Sequence, residues 1–164
     1  MATSIDLRNW RKILTPCPAV PEPIITYVFF VDSLDKAKAK ITEVLDKYGM
    51  PYVPFPNDNN IVTCRMRFIL DREDNTVTFA LDPNHVRIDF SQNPMQVLDS
   101  MSRKAMEIIE FAIVLLKEVG LVNDRNETKV RESMIRSWSK WIEVPKALLP
   151  ILLGKLMSGK NQRY

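Results

Sequence analysis

Residues 61–91, IVTCRMRFILDREDNTVTFALDPNHVRIDFS, decide the fold that the sequence predicts. They form three short runs in which apolar and polar side chains alternate. Because successive side chains of a strand point to opposite faces, this alternation is typical of an antiparallel sheet with one buried face. The loop DREDN and the turn around Asp82, Pro83 and Asn84 are short. We therefore expect the three strands to follow one another as a meander.

The alternation assigns each side chain of the meander to one face. The predicted buried face carries Val62, Cys64, Met66, Phe68, Leu70, Val77, Phe79, Leu81, Val86, Ile88 and Phe90. The predicted polar face carries Thr63, Arg65, Arg67, Thr76, Thr78, His85, Arg87 and Asp89. One apolar face of this size requires helices to cover it.

The segments around the meander complete an α+β fold. Residues 24–31, IITYVFFV, are apolar on both faces, which is typical of a strand buried on both sides or covered by the terminal helices. A helix is predicted between Ser33 and Gly49, followed by the extended segment MPYVPFPNDNN, and a long helix between Asn93 and Gly120. The sequence therefore predicts a mostly antiparallel four-stranded sheet in the order strand, helix, three-strand meander and long helix.

Three segments are predicted along the chain. Residues 1–23 form an N-terminal helix and a proline-rich strap, since four prolines lie between Thr15 and Pro23. Residues 24–122 form the α+β core domain. Residues 123–164 form a helical C-terminal lobe with a basic tail, in which Pro145 and Pro150 interrupt the helical pattern.

The long helix carries more apolar surface than one sheet face needs. Its second half contains IIEFAIVLL, which only Glu110 interrupts. A helix on one side of a sheet needs a single apolar stripe, so something else must cover the remainder. The candidates are another subunit and the C-terminal lobe, which has its own helical stripe of Val130, Met134, Trp138, Trp141 and Ile142.

Composition and charge bound the class of protein. The chain has 164 residues with 23 basic and 20 acidic side chains, a balance that does not indicate a dedicated polyanion binder. Cys17 and Cys64 form no CxxC pair, so we expect reduced cysteines in the cytoplasm, with a single disulfide as the alternative. The N-terminus has no signal core, and no apolar run has the roughly 18–20 residues of a spanning helix.

No catalytic or metal-binding constellation is recognisable. His85 is the only histidine, and by strand parity it lies on the opposite face from Cys64. No glycine occurs in a nucleotide-binding motif, and DREDN lacks the glycine and distal acid of a calcium loop. We therefore predict no catalytic residues, no metal, no cofactor and no small-molecule substrate. An enzyme is the third hypothesis, and a cleft that brings Glu110 beside arginine side chains is the feature that would favour it.

The first hypothesis is a non-enzymatic assembly subunit. It contacts a second copy of itself or another protein through apolar helical surfaces, because Trp, Met and Leu are typical interface anchors. The predicted interface residues are Ile109, Ile113, Leu116, Met134, Trp138, Trp141, Ile142, Leu148 and Leu152. A plain intramolecular core is the alternative for the same residues, and a membrane surface is disfavoured.

The second hypothesis is a nucleic-acid-binding module. It would use arginines of the polar sheet face together with the basic tail: Arg65, Arg67, Arg87, Lys155, Lys160 and Arg163. The predicted polar face has no aromatic side chain for base stacking, and Asp89 dilutes its charge. A solvated sheet face with cross-strand pairing is therefore the favoured interpretation of those arginines.

Overall fold

The computed structural model describes residues 5–15, 17, 25–54, 59–83, 93–141, 147–148, 150–151, 153–154 and 157. Within these residues the chain forms a five-stranded antiparallel sheet and four α-helices. The strands are β1 (Ile25–Phe30), β2 (Val53–Pro54), β3 (Asn60–Thr63), β4 (Met66–Asp71) and β5 (Thr76–Leu81), in the order β1-β5-β4-β3-β2. The helices are α1 (Trp10–Leu14), α2 (Leu34–Lys47), α3 (Pro94–Glu118) and α4 (Glu127–Trp141).

The predicted α+β architecture is confirmed, and the helices lie where their patterns placed them. The Ser33 hydroxyl accepts a hydrogen bond from the backbone N–H of Lys36 at the start of α2. Gly49 and Gly120 follow the ends of α2 and α3 with φ of +68° and +88°. Glycine adopts this left-handed conformation without a steric cost, which explains why both helices stop there.

Five strands are described instead of four because one predicted strand is two, β2 was not predicted, and the predicted last strand lies outside the described residues. Residues 61–70 do not form a single strand: Cys64 and Arg65 turn the chain back, and Thr63 lies opposite Met66. A two-residue turn puts odd positions of β3 on the same face as even positions of β4. Ile61 is therefore buried in place of Val62. The predicted last strand, with Val86, Ile88 and Phe90, lies outside the described residues.

The buried faces of β4 and β5 are as predicted. Phe68 and Phe79 are fully buried opposite each other, with ring centroids 5.2 Å apart. Helix α2 packs against these two central strands through side chains such as Ile41 and Leu45. Helix α3 is surrounded, since every side chain of residues 108–113 is buried. The apolar surface of α3 that exceeds the needs of one sheet face is thus buried inside the protein.

Helix α4 of the same chain covers that surplus. It packs against α3 and β1, and Val130, Met134 and Trp138 are each at most 1% exposed. Of the two predicted covers, the C-terminal region of the chain itself therefore supplies the contact. Side chains from the predicted N-terminal segment, core domain and C-terminal lobe join one hydrophobic core.

A disulfide and an arginine tie the N-terminal segment to the β3–β4 turn. Cys17 is bonded to Cys64, so the expectation of reduced cysteines is wrong and the alternative of one disulfide is correct. The Arg65 Nε donates to the carbonyl oxygen of Leu14 at 2.8 Å. On the other side of α1, the Trp10 indole donates to the carbonyl oxygen of Tyr48 at 3.0 Å. In the described part of the chain, no helix is long and apolar enough to cross a membrane.

Candidate binding groove at the sheet edge

Most of the predicted interface residues lie in the interior of the single chain. Five of them are at most 1% exposed: Ile109, Ile113, Leu116, Met134 and Trp138. Their apolar side chains are buried between α3, α4 and the rest of the core, so the folded chain does not offer them to a partner. Leu148 is half-buried. The side chains of Trp141, Ile142 and Leu152 lie outside the described residues.

The predicted nucleic-acid face does not assemble as expected. Arg65 lies in the β3–β4 turn with φ +58° and is 8% exposed, because the turn removes it from the strand pattern that placed it on the polar face. Its guanidinium contacts the Leu14 carbonyl and, at 3.5 Å, the Asp82 carboxylate. Arg67 is half-buried on β4. Arg87, Lys155, Lys160 and Arg163 lie outside the described residues.

Glu110 does lie beside an arginine, but inside the helical packing. Arg131 of α4 binds it with two hydrogen bonds of 2.6 and 2.9 Å and also donates to Glu127 at 2.8 Å. Burial works to lower the pKa of Arg131, but the two carboxylates outweigh it and raise that pKa. Both members of the Glu110–Arg131 pair are buried. The ion pair therefore joins α4 to α3, which explains why one charged residue, Glu110, occurs within the apolar run IIEFAIVLL.

The described residues include no candidate metal site. No three His, Cys, Asp or Glu side chains there are placed to hold a metal ion together. His85 lies outside this part of the chain.

Strand β1 is the feature that the sequence pattern misjudged. It was expected to be buried on both sides or covered by the terminal helices. It lies instead at the edge of the sheet, where it pairs only with β5, and the terminal helix α4 packs against it without covering Val28 and Phe30. Ile25 and Phe29 face the core, whereas Val28 and Phe30 are 47% and 83% exposed on the opposite, outer face of the sheet. A strand apolar on both faces does not reveal which face is covered, so periodicity could not predict this exposure.

The outer edge of β1 has backbone groups without partners in the described structure. In an edge strand, alternate N–H and C=O groups point away from the neighbouring strand. β5 supplies the ladder partners of β1, and no backbone hydrogen bond joins β1 to α4 although the two are in contact. The strand, ITYVFF, has neither a charge nor a proline that would discourage another strand from pairing with it.

A groove of about 640 Å³ runs along this edge. Residues 27–31 of β1 and its end form one side. The first turns of α2 and the connection between α3 and α4 form the other sides, including Lys36, Lys40, Leu121 and Asn126. We call this site the edge groove.

The walls of the edge groove are held in place by hydrogen bonds. The Asn126 amide donates to the Leu121 carbonyl oxygen at 3.1 Å and accepts from the Asn123 backbone N–H at 2.8 Å. The ends of α2 and α3 are joined by Glu118, whose carboxylate accepts from the Tyr48 hydroxyl at 2.5 Å and from Lys47 at 3.1 Å. The Tyr48 hydrogen bond, helped by Lys47, lowers the pKa of Glu118. The groove is therefore pre-organised and needs little ordering to bind an extended chain.

The charged side chains of the edge groove are two lysines and one aspartate. Lys36, Lys40 and Asp32 are all exposed. Lys40 approaches Glu43 only at 3.9 Å, with both side chains in solvent, and Lys36 contacts no carboxylate in the described structure. Lys40 also lies close enough to Glu118 to help lower the pKa of that carboxyl. The groove thus combines an apolar strand edge with two exposed lysines, of which Lys36 has no carboxylate partner among the described residues.

Comparison with known proteins found no matching family model, no similar curated protein and no similar solved structure.

Proposed function

We propose that the protein is a non-enzymatic interaction subunit that associates with another protein through the edge groove. Its partner adds an extended segment to the sheet as a neighbour of β1. The observation that carries the proposal is the outer edge of β1, which is six residues long, uncharged, and without backbone partners among the described residues. Main-chain hydrogen bonds supply affinity in this mode of recognition, and side chains at alternate positions supply specificity.

The class of function is the one that the sequence suggests, but the contact surface differs: it is the edge groove and not the apolar helical surfaces. Five of the nine helical residues expected at the interface are buried in the core, whereas Val28 and Phe30 are apolar and exposed beside the edge of the sheet. Large exposed aromatic side chains are typical anchors of protein interfaces.

Nucleic-acid binding receives no comparable support. Arg65, one of its three sheet arginines, is buried and engaged by Leu14 and Asp82. The cytoplasm is the compartment that we propose, although the disulfide between Cys17 and Cys64 weighs against it, because disulfides persist mainly in oxidising compartments.

The test uses lysines placed on the exposed face of the edge strand. Sedimentation of the native chain over a range of concentrations measures self-association, and anisotropy of labelled extended peptides measures binding of a foreign strand. We expect Val28→Lys/Phe30→Lys to weaken whichever association the native chain shows by about tenfold or more, since edge lysines oppose strand pairing. Val53→Lys is the control, because Val53 is also exposed but lies at the other edge. A native chain that stays monomeric and binds none of the peptides contradicts the proposal.

A further inference from the structure

The chemistry of the edge groove restricts what kind of segment it can hold. Residues 27–31 give the groove a length of about five strand residues, or roughly 17 Å at the rise of a strand. A chain paired with β1 points its side chains alternately to the outer face and to the core side. The side chains of the added segment would therefore meet different residues on the outer face and on the core side.

On the outer face, the added side chains would lie beside Val28 and Phe30. These two are 47% and 83% exposed, and neighbouring positions on the same face of β5 are Thr76 and Thr78. Side chains directly across a strand pair interact most favourably when both are apolar or β-branched. The outward positions of the segment are therefore suited to valine, isoleucine or an aromatic residue.

On the core side, the added side chains would face α2. This helix packs on the core face of β4 and β5, and it turns Lys36 and Lys40 toward the groove. Lys36 and Lys40 are exposed, so each attracts a carboxylate placed beside it only modestly, and added salt weakens the attraction. Since Asp32 is the one carboxylate lining the groove, the inward positions of the segment are suited to glutamate or aspartate.

A second copy of this chain fits these requirements less well. Its own β1, ITYVFF, carries no acidic side chain to place beside the two lysines. Pairing two β1 strands would leave Lys36 and Lys40 of each copy without carboxylate partners from the added strand. The charge of the groove therefore favours a different protein over self-association.

We infer that the edge groove binds an extended acidic segment of a partner protein, with apolar side chains facing outward and carboxylates facing α2. The inference rests on the proposed function and deepens it by giving the chemistry of the partner. The segment adds a sixth strand beside β1, and its carboxylates pair with Lys36 and Lys40.

The experiment uses three labelled peptides that differ in one respect. Each alternates valine with a second residue, which is glutamate, glutamine or lysine, and binding is measured by fluorescence anisotropy with the full chain. We expect the glutamate peptide to bind about tenfold more tightly than the lysine peptide, with glutamine between them and with the difference shrinking at high salt. In Lys36→Glu/Lys40→Glu the order should reverse. The control Lys38→Glu/Lys104→Glu has the same net charge outside the groove and should keep the native order.

A fourth and a fifth peptide separate the two proposals. Both carry glutamate, and each is methylated on one of the two alternating sets of backbone nitrogens. Only one set can donate to β1, so strand addition predicts that one methylated peptide binds and the other does not.

The outcomes are distinct. If the methylated pair differs but the three charged peptides bind equally, strand addition stands and the acidic segment is refuted. If both methylated peptides bind equally, or no peptide binds, the acidic segment is refuted together with strand addition at β1.

Discussion

Strands β1 and β2 lie at the two edges of one sheet, and they present their backbones very differently. β2 is two residues long, contains Pro54 and follows Pro51, so it offers almost no ladder to another chain. β1 is six residues long, without charge or proline, and ends at an exposed Phe30. Short length and proline are common means of protecting a sheet edge.

The difference indicates that the open edge is not a general property of this fold. Within the part of the chain that the structure describes, one edge is blocked and the other is uncovered beside a pre-formed groove. An unprotected apolar edge carries a risk of aggregation, and a partner of the kind proposed above would remove that risk. The predictions below test this comparison in order of decreasing effect.

The largest effect is expected from the buried ion pair that holds α4 beside β1. Arg131→Met leaves Glu110 buried without its partner, and removing one member of such a pair costs about 3–5 kcal/mol. Urea denaturation measures this loss. Because α4 packs against β1, and β2 lies at the other edge of the sheet, hydrogen exchange should accelerate at the β1 edge before the β2 edge.

The double variant Glu110→Leu/Arg131→Met is the control for that prediction. It replaces both charges by apolar groups, which is often nearly neutral, so most of the lost stability should return. If the double variant is as unstable as the single one, packing around Arg131 matters more than its charge.

The disulfide should act on the other half of the sheet. It closes a loop with a sequence separation of 47 residues at the β3–β4 turn, next to β2. Cys17→Ser/Cys64→Ser should lower the free energy of unfolding by about 2–4 kcal/mol, mainly by freeing the unfolded chain. Peptide binding at β1 should be unchanged in a calorimetric titration below the unfolding transition; a loss there would mean that the two edges are coupled.

Restoring a backbone donor at the protected edge should make the two edges more alike. Pro54→Val returns an N–H to β2, whose Val53 is already 57% exposed. We expect a stability change of no more than about 0.5 kcal/mol but greater concentration-dependent light scattering than for the native chain. Equal scattering would show that the short length of β2, and not its proline, protects that edge.

The smallest effect concerns the hydrogen bond that joins the ends of α2 and α3. Tyr48→Phe removes the donor to Glu118 and should cost less than about 0.5 kcal/mol at neutral pH, because both groups are partly exposed to solvent. In the folded chain the pKa of Glu118 is lowered, so its contribution is present above the ordinary pKa of about 4.3 and is lost as pH falls through the folded value.

For the Tyr48 hydroxyl, the contribution to stability changes with pH in the opposite direction. The pKa of Tyr48 is raised, chiefly by its hydrogen bond to Glu118, so this contribution is present below the ordinary pKa of about 10 and is lost as pH rises. Between about pH 3 and about pH 11, the free energy of unfolding should therefore depend less on pH for Tyr48→Phe than for the native chain, at both ends of the range. Unchanged curves would assign the pH dependence to other groups.

Much of the architecture could be predicted because local signals agree with it. Helices α2 and α3 stop at Gly49 and Gly120, and the apolar alternation of β4 and β5 matches their buried face. The β3–β4 turn could not be predicted, since neither Cys64 nor Arg65 favours a turn. Arg65 adopts φ +58° because Leu14, Asp82 and the disulfide hold it there, and all of these contacts are distant in sequence.

The candidate site was missed for a related reason. Nothing local distinguishes a strand with two buried faces from an edge strand with exposed Val28 and Phe30. The sequence offers one indication, and it is an absence. ITYVFF lacks the charges that protect a sheet edge, whereas the segment containing β2 is rich in proline. The lysines of α2 resemble ordinary solvated helix surface until β1 is placed beside them.

Arg65 also has a consequence for the order in which the chain folds. Its carbonyl oxygen accepts from the Asp82 backbone N–H at 2.8 Å, and its side chain binds the carbonyl of Leu14, 51 positions earlier. Contacts of large sequence separation form late because their loops must close first. During synthesis, residues near Leu14 leave the ribosome before residue 82, so their docking site is complete only after they have emerged. Helix α1 is therefore expected to reach its native place after the sheet has formed, although it precedes the sheet in the chain.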